Sequence, residues 1–520
     1  MFNSIFKSKT LQLFLAIIIA ILTTGFLRLQ LFSGVPEPDG GFYTFNSQYI
    51  YYALTHGQDL NAMTLNLYPF MTAWVYGFDV NQYISLRLID GLVAVAASVV
   101  FFKVILKESG SPLFSVILAT SLFIIMNDIK FIIYGFQNAV WAAYLPLFSA
   151  LLIWQNISKE DKYSFYLIGG LVSLGILLRE PFLPFFFLVA IAILIGYGWR
   201  VLLKYLIGSA VVGFSVLGVM LMFRGWDLLD LINSYRSISR VIEGGRFYLP
   251  LSIIKSSWFI LGTGLITITY LIKSYFIDKK SVNINRAYFW LVIVMVPIPE
   301  FYSKLGLPYH FANALPGLAG LSAMGWKHLM TQESKKVTTS SILIIGLLSL
   351  IVILPTINRT LIKSSYIYGP IDAIKWAKAS DSFRSGQMIE RSQYLKVAAK
   401  VYGLSREDST LAVSGYWQPL FPLTGLLPPI FKLSHLRSLY LEHNYDQNKV
   451  IEVIKKYQPT VIVSSTNAWR GEDDIPGIIE KTNLYEKVDS VDSVPRKVGD
   501  TGLDINSNLS AIIYRLKNFK

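Results

Sequence analysis

Long apolar runs separated by short polar breaks fill the first two-thirds of the chain. Stretches near the roughly 20 apolar residues that a helix needs to cross a bilayer lie at 11–32, 84–106, 112–127, 137–155, 163–178, 181–199, 203–223, 252–276, 286–299, 311–329 and 340–357. The pattern predicts eleven transmembrane helices. Residues 11–27 have the length of a signal-peptide core, but Arg28 and Gln30 follow where a small-residue cleavage site would stand. The stretch is therefore read as a retained anchor.

From about residue 358 the pattern changes: charged residues become frequent and no later run is long enough to span. Helical periodicity at 371–379, 390–402 and 446–457 alternates with β-rich runs at Leu411–Gly415, Thr460–Ser465 and Ser510–Leu516. That alternation predicts a soluble α/β domain over 358–520, large enough to bury its own core. The expected fold is a polytopic α-helical membrane protein, residues 1–357, with a C-terminal soluble α/β domain.

Composition narrows the class. Only 15% of the 520 residues are charged and 53% are hydrophobic, with a mean hydropathy of +0.47. This excludes an ordinary soluble enzyme and a disordered chain. The net charge of +14 marks membrane orientation rather than nucleic acid as a partner. Fifteen Lys and Arg fall in the loops on the side of the N-terminus and eight on the other, and the loop 33–83 has none. By the positive-inside rule the N-terminus is cytoplasmic, and an odd number of spans puts the tail outside. The absence of cysteine rules out disulfides and thiolate sites. No P-loop, dinucleotide fingerprint or Gly-x-Ser-x-Gly occurs.

The first outer loop carries the sharpest chemistry. Pro36 and Pro38 stiffen it, Gly40 and Gly41 permit unusual backbone angles, and Glu37 and Asp39 place two carboxylates just beyond the membrane. Phe42, Phe45, Tyr49 and Tyr52 follow at spacings of 3, 4 and 3, one stripe of a helix. A helix starting after Asp39 would favour its ionised form, suited to act as general base on a hydroxyl and equally suited to ligate a hard divalent cation. The plainer alternatives are a Pro-Asp-Gly-Gly turn and an aromatic membrane anchor.

The order of these features resembles the GT-C membrane glycosyltransferases, the polyprenyl-phosphate-sugar-dependent class that includes protein O-mannosyltransferases and aminoarabinose transferases. The likeness rests on Asp39-Gly40-Gly41-Phe42-Tyr43, Gly57 and Leu67-Tyr68-Pro69 in the first outer loop, then on Leu86-Arg87-Leu88 opening the second helix. Gly175 to Pro181, with Arg179 and Glu180, resembles a short outer turn of the class, and Tyr309-His310 with Pro316 a later one. Gly415 to Pro429, containing Leu423-Thr424-Gly425 and Pro428-Pro429, resembles the first strand and loop of its soluble domain. One departure is Asp39-Gly40, where many members carry Asp-Glu. Glu37 is the remaining candidate for the second carboxylate.

The resemblance implies a sugar donor on a polyprenyl phosphate and direct transfer, with inversion, to a hydroxyl of a glycan, lipid-linked saccharide or protein. Asp39, or Glu37, would be the base. Arg179, Arg236, Arg240, Arg246, Lys304 and His310 are the outer-face cations to hold the phosphate, and Tyr43 and Tyr309 the aromatic substrate contacts. Arg236 and Arg240 lie on the polar side of an amphipathic stretch, 227–242, within the outer loop 224–251. Metal dependence is not readable, because no paired-His spacing is present. Two rivals remain: a flippase or transporter of lipid-linked saccharide, which calls for polar residues through the middle of several helices, and a polysaccharide polymerase or ligase using the Arg-rich loop.

Overall fold

A computed structural model describes residues 8–29, 38–57, 60, 67–78, 82–127, 137–157, 163–179, 182–222, 229, 251–276, 290–291, 293–295, 312–332, 346–347, 354, 357, 391–415, 417–465, 474–491, 496–498, 503–505 and 510–519. The expected junction near 358 lies outside them. The membrane part opens with α1 (Lys9–Ala20), a π-helical turn (Ile21–Gly25) and α2 (Phe26–Leu29). The segment between the first two long apolar helices contributes α3 (Pro38–His56), α4 (Leu67–Thr72) and a 3-10 turn (Ala73–Gly77). Then follow α5 (Gln82–Ser109), α6 (Pro112–Met126), α7 (Gln137–Trp154), α8 (Ser164–Leu178), α9 (Leu183–Tyr197), α10 (Trp199–Met222), α11 (Leu251–Phe276) and α12 (Leu315–Gln332).

Helices thus stand over nine of the eleven apolar stretches; 286–299 and 340–357 fall largely outside the described residues. Among the described residues three helices are long and apolar enough to cross a membrane: Thr10–Arg28, Ser85–Ser109 and Trp199–Met222. Five shorter apolar helices accompany them. The architecture is that of a helical membrane protein with a small sheet.

Lipid gives apolar helices no reason to associate, so they join through small residues and polar contacts. A Cβ on Gly169 would collide with the carbonyl oxygen of Tyr205, and one on Gly208 with that of Tyr166. These two glycines let the backbones of α8 and α10 meet. Thr24 and Ser98 share a hydrogen bond of 2.9 Å, and the phenol of Tyr144 donates to Oδ1 of Asn313 at 2.7 Å.

The C-terminal part begins with α13 (Arg391–Gly403) and β1 (Leu411–Val413), followed by α14 (Leu420–Thr424), a 3-10 turn (Phe431–Ser434), α15 (Leu436–Glu442) and α16 (Gln447–Tyr457). After these come β2 (Val461–Ser465), α17 (Ile475–Lys481), β3 (Tyr485–Val491), the pair β4 (Arg496–Val498) and β5 (Leu503–Ile505), and β6 (Ala511–Leu516). The main sheet runs β1-β2-β6-β3, with β1 parallel to β2 and the other pairs antiparallel. The first strand ends at Val413, two residues before the expected Gly415, and β3 is a strand the periodicity does not predict. The 371–379 helix lies outside the described residues.

Both faces of this sheet are buried. On one, Ala412, Ile462 and Tyr514 pack with α15, α16 and α17. On the other, Leu411, Val413, Val461, Val463 and Ile513 pack with Tyr394, Val397 and Val401 of α13 and with Phe45, Tyr49, Ile50 and Ala53 of α3. This corrects two expectations. The tail does not close its core alone, because α3, from the segment 33–83, completes one layer. Nor do Phe45 and Tyr49 serve as membrane anchors: they are 0% and 2% exposed, and burial against the sheet layer outweighs an interfacial seat.

Candidate functional site

Helix α3 joins the two parts of the chain, and three of its sides have separate tasks. Toward the tail, the ring of Phe45 stacks on Phe421 at 4.2 Å and on Phe431 at 5.7 Å. Gly41 lies against Pro419 so closely that an added Cβ would sit 2.5 Å from its Cγ and 2.9 Å from its Cα. Gly41 is helical, so close approach rather than an unusual backbone angle explains the glycine there. Toward the loop's own second helix, Ser47 and Thr72 share a hydrogen bond of 2.8 Å, and the phenol of Tyr76 donates to the carbonyl of Thr44 at 2.9 Å. Toward the membrane helices stands Tyr43.

Pro38 opens α3, a position where its missing N–H costs nothing. Asp39 follows in the first turn, where the helix dipole favours a negative charge. Its backbone alone is described. Asp39, Tyr43 and Asn46, at spacings of 4 and 3, occupy one face of the helix.

Arg179 ends α8 with an extended backbone. Its Nη1 donates to the Tyr43 phenol oxygen at 3.3 Å, and the residue is 9% exposed. A cation is favoured at a helix C-terminus. The structure therefore brings together two residues that the resemblance assigned separately to phosphate and substrate. Tyr43 meets Tyr68 edge-on at 6.0 Å. The Tyr68 phenol donates to Oδ1 of Asp90, and Asp90 pairs with Arg87 at 3.5 Å within α5. Arg28, at the end of α2, is 1% exposed and acts electrostatically on Tyr68. Burial and the Asp90 charge hold the Tyr68 phenol well above its usual range, against the pull of Arg87 and Arg28. Tyr68 stays a neutral donor.

Arg28, Arg87, Arg179, Asp90 and Tyr68 of this cluster are buried at the loop-facing end of the helices, and Tyr43 is half-buried. Arg28 enters the sequence reading only as the end of the first apolar stretch and Asp90 not at all, while Arg87 and Tyr68 enter it only as parts of motifs. The signal was available in part, since Arg87 and Asp90 stand three apart inside an otherwise apolar stretch, where charges are costly unless paired. Asn46 is a further residue that the sequence did not single out. It is 3% exposed, and among the described residues no group hydrogen-bonds its Oδ1.

Glu37, Glu180, Arg236, Arg240, Arg246, Lys304, Tyr309 and His310 lie outside the described residues, as does the amphipathic stretch 227–242 apart from Leu229. Among the described residues no three His, Cys, Asp or Glu side chains gather as a metal site would require.

No protein-family model matches the chain, and no curated protein is significantly similar to it.

Proposed function

We propose that the protein is an integral membrane glycosyltransferase of GT-C type, working on the extracytoplasmic face of a bacterial plasma membrane. The membrane part would cross the bilayer eleven times, with the N-terminus in the cytoplasm and the α/β domain outside. The observation that carries this reading is the face of α3 bearing Asp39 and Tyr43, with the Arg179 guanidinium bonded to Tyr43 beside it. Sugar transfer from a phosphate needs a base and a cation: Asp39 on α3 would be the first, and Arg179, bonded to Tyr43 of the same helix, the second.

In this mechanism Asp39 takes the proton of an acceptor hydroxyl. The acceptor oxygen attacks the anomeric carbon of the donor from the face opposite the phosphate. A new C–O bond forms as the bond from that carbon to the phosphate oxygen breaks, with inversion, and polyprenyl phosphate leaves as an anion. Arg179 stabilises the growing charge on the phosphate, and the base returns its proton to water. The tail domain, packed on α3 through Phe421 and Pro419, lies where an acceptor glycan or protein would approach.

The test is transfer from a panel of polyprenyl-phosphate sugars by the full chain in proteoliposomes. Transfer by the wild type, abolished by Asp39→Asn, supports the reading. Movement of lipid-linked sugar across the bilayer without transfer would favour a flippase, and extension of a lipid-linked glycan by whole repeat units a polymerase.

A further inference from the structure

We infer that Asn46 is a donor-recognition residue, its side-chain amide hydrogen-bonding a hydroxyl of the sugar ring. The inference rests on the glycosyltransferase reading and adds a specificity determinant to the same site. Buried polar groups are nearly always paired, and one left without a partner calls for a reason. Asn46 is 3% exposed, with no partner for Oδ1 among the described residues. Two neighbours on α3 behave otherwise: Ser47 bonds Thr72, and the Thr44 carbonyl accepts from Tyr76. An asparagine inside a helix is also a weak helix former, competing for backbone hydrogen bonds. The fold gains nothing evident from an amide here.

Position says what the amide serves. Asn46 follows Tyr43 by three residues and Asp39 by seven, so all three share the face of α3 that Arg179 reaches. Arg179 is the group suited to an anionic phosphate. A neutral amide, offering a donor and an acceptor, suits a neutral hydroxyl one ring further on. Removing such a contact leaves a buried sugar hydroxyl unpaired, which is the strong form of discrimination.

The experiment compares the full-length wild type with Asn46→Leu and Asn46→Ala in detergent. Binding of undecaprenyl-phosphate hexoses and pentoses is measured beside binding of undecaprenyl phosphate alone, together with thermal stability without ligand. The expected result is a loss of tenfold or more in affinity for the wild type's preferred sugar donor, unchanged affinity for the sugar-free lipid, and stability equal to or above wild type. Equal losses for both lipids, or full sugar affinity with lowered stability, would overturn the inference and leave the glycosyltransferase reading standing. Failure of the wild type to bind any of these lipids would overturn both.

Discussion

The ring of Phe45, in α3, stacks on Phe421 of the C-terminal domain at 4.2 Å. The contact makes α3 part of two cores: one side of the helix closes a layer over the tail's sheet, and another faces Arg179. Truncating the ring in Phe45→Ala is expected to cost about 3–5 kcal/mol, as for other buried aromatics. Chemical unfolding of the purified protein would show it, together with faster proteolysis between the two parts. A change below about 1 kcal/mol would mean the tail folds without this helix.

Gly41 offers a test in which the sign decides. Helix propensity favours alanine over glycine by about 1 kcal/mol. The Cβ would however strike Pro419, and overpacking costs about 1–3 kcal/mol. Gly41→Ala should therefore destabilise the protein in the same unfolding measurement. Stabilisation would show that α3 and the loop before α14 are not in close contact.

Tyr43 and Arg179 should act as a unit in catalysis. Arg179→Gln is expected to lower kcat/KM by about a hundredfold, the scale of a lost transition-state donor. Tyr43→Phe, which removes only the hydroxyl that accepts from Arg179, should lose about tenfold. Because one variant removes the partner of the other, the double variant should lose little beyond Arg179→Gln alone. Additive losses would assign the two residues independent roles.

How much of this could be read from the sequence depended on burial. Strands β1, β2 and β6 were legible because both faces of the sheet are covered, which gives unbroken apolar runs. Strand β3 was not, since it lies at the sheet's edge and carries Glu486, Lys487 and Asp489 among its apolar positions. The stripe of Phe45 and Tyr49 was visible as a helix face, but periodicity names no partner, and Phe421 lies far along the chain. For the site, the chemistry of Arg179 and Tyr43 was visible as residue types, and their bond is a product of the fold alone. Arg28, ending an apolar helix, read as a boundary marker and proved to be buried.

The tail domain carries a pH-sensitive cap. Nδ1 of His435 accepts the Ser438 N–H at 3.0 Å at the start of α15. Burial, reinforced by Arg437, lowers its pKa from 6.5 to about 4. The folded state thus binds this proton less readily than the unfolded one, so the cap's contribution is complete above pH 6.5 and is lost as pH falls toward 4. Hydrogen exchange in α15, corrected for intrinsic rates, should show opening rise across that window. His435→Asn, which caps without titrating there, should flatten the dependence; an unchanged slope would place the titration elsewhere.

The most direct test of the account is the transfer rate of wild type against Asp39→Asn at matched membrane expression, using the polyprenyl-phosphate sugar that the wild type prefers. The amide keeps the size and polarity of the side chain but cannot take a proton at neutral pH. The account predicts a loss of about a hundredfold or more, the scale of a removed general base, with donor binding retained. Transfer by Asp39→Asn at the wild-type rate would contradict it.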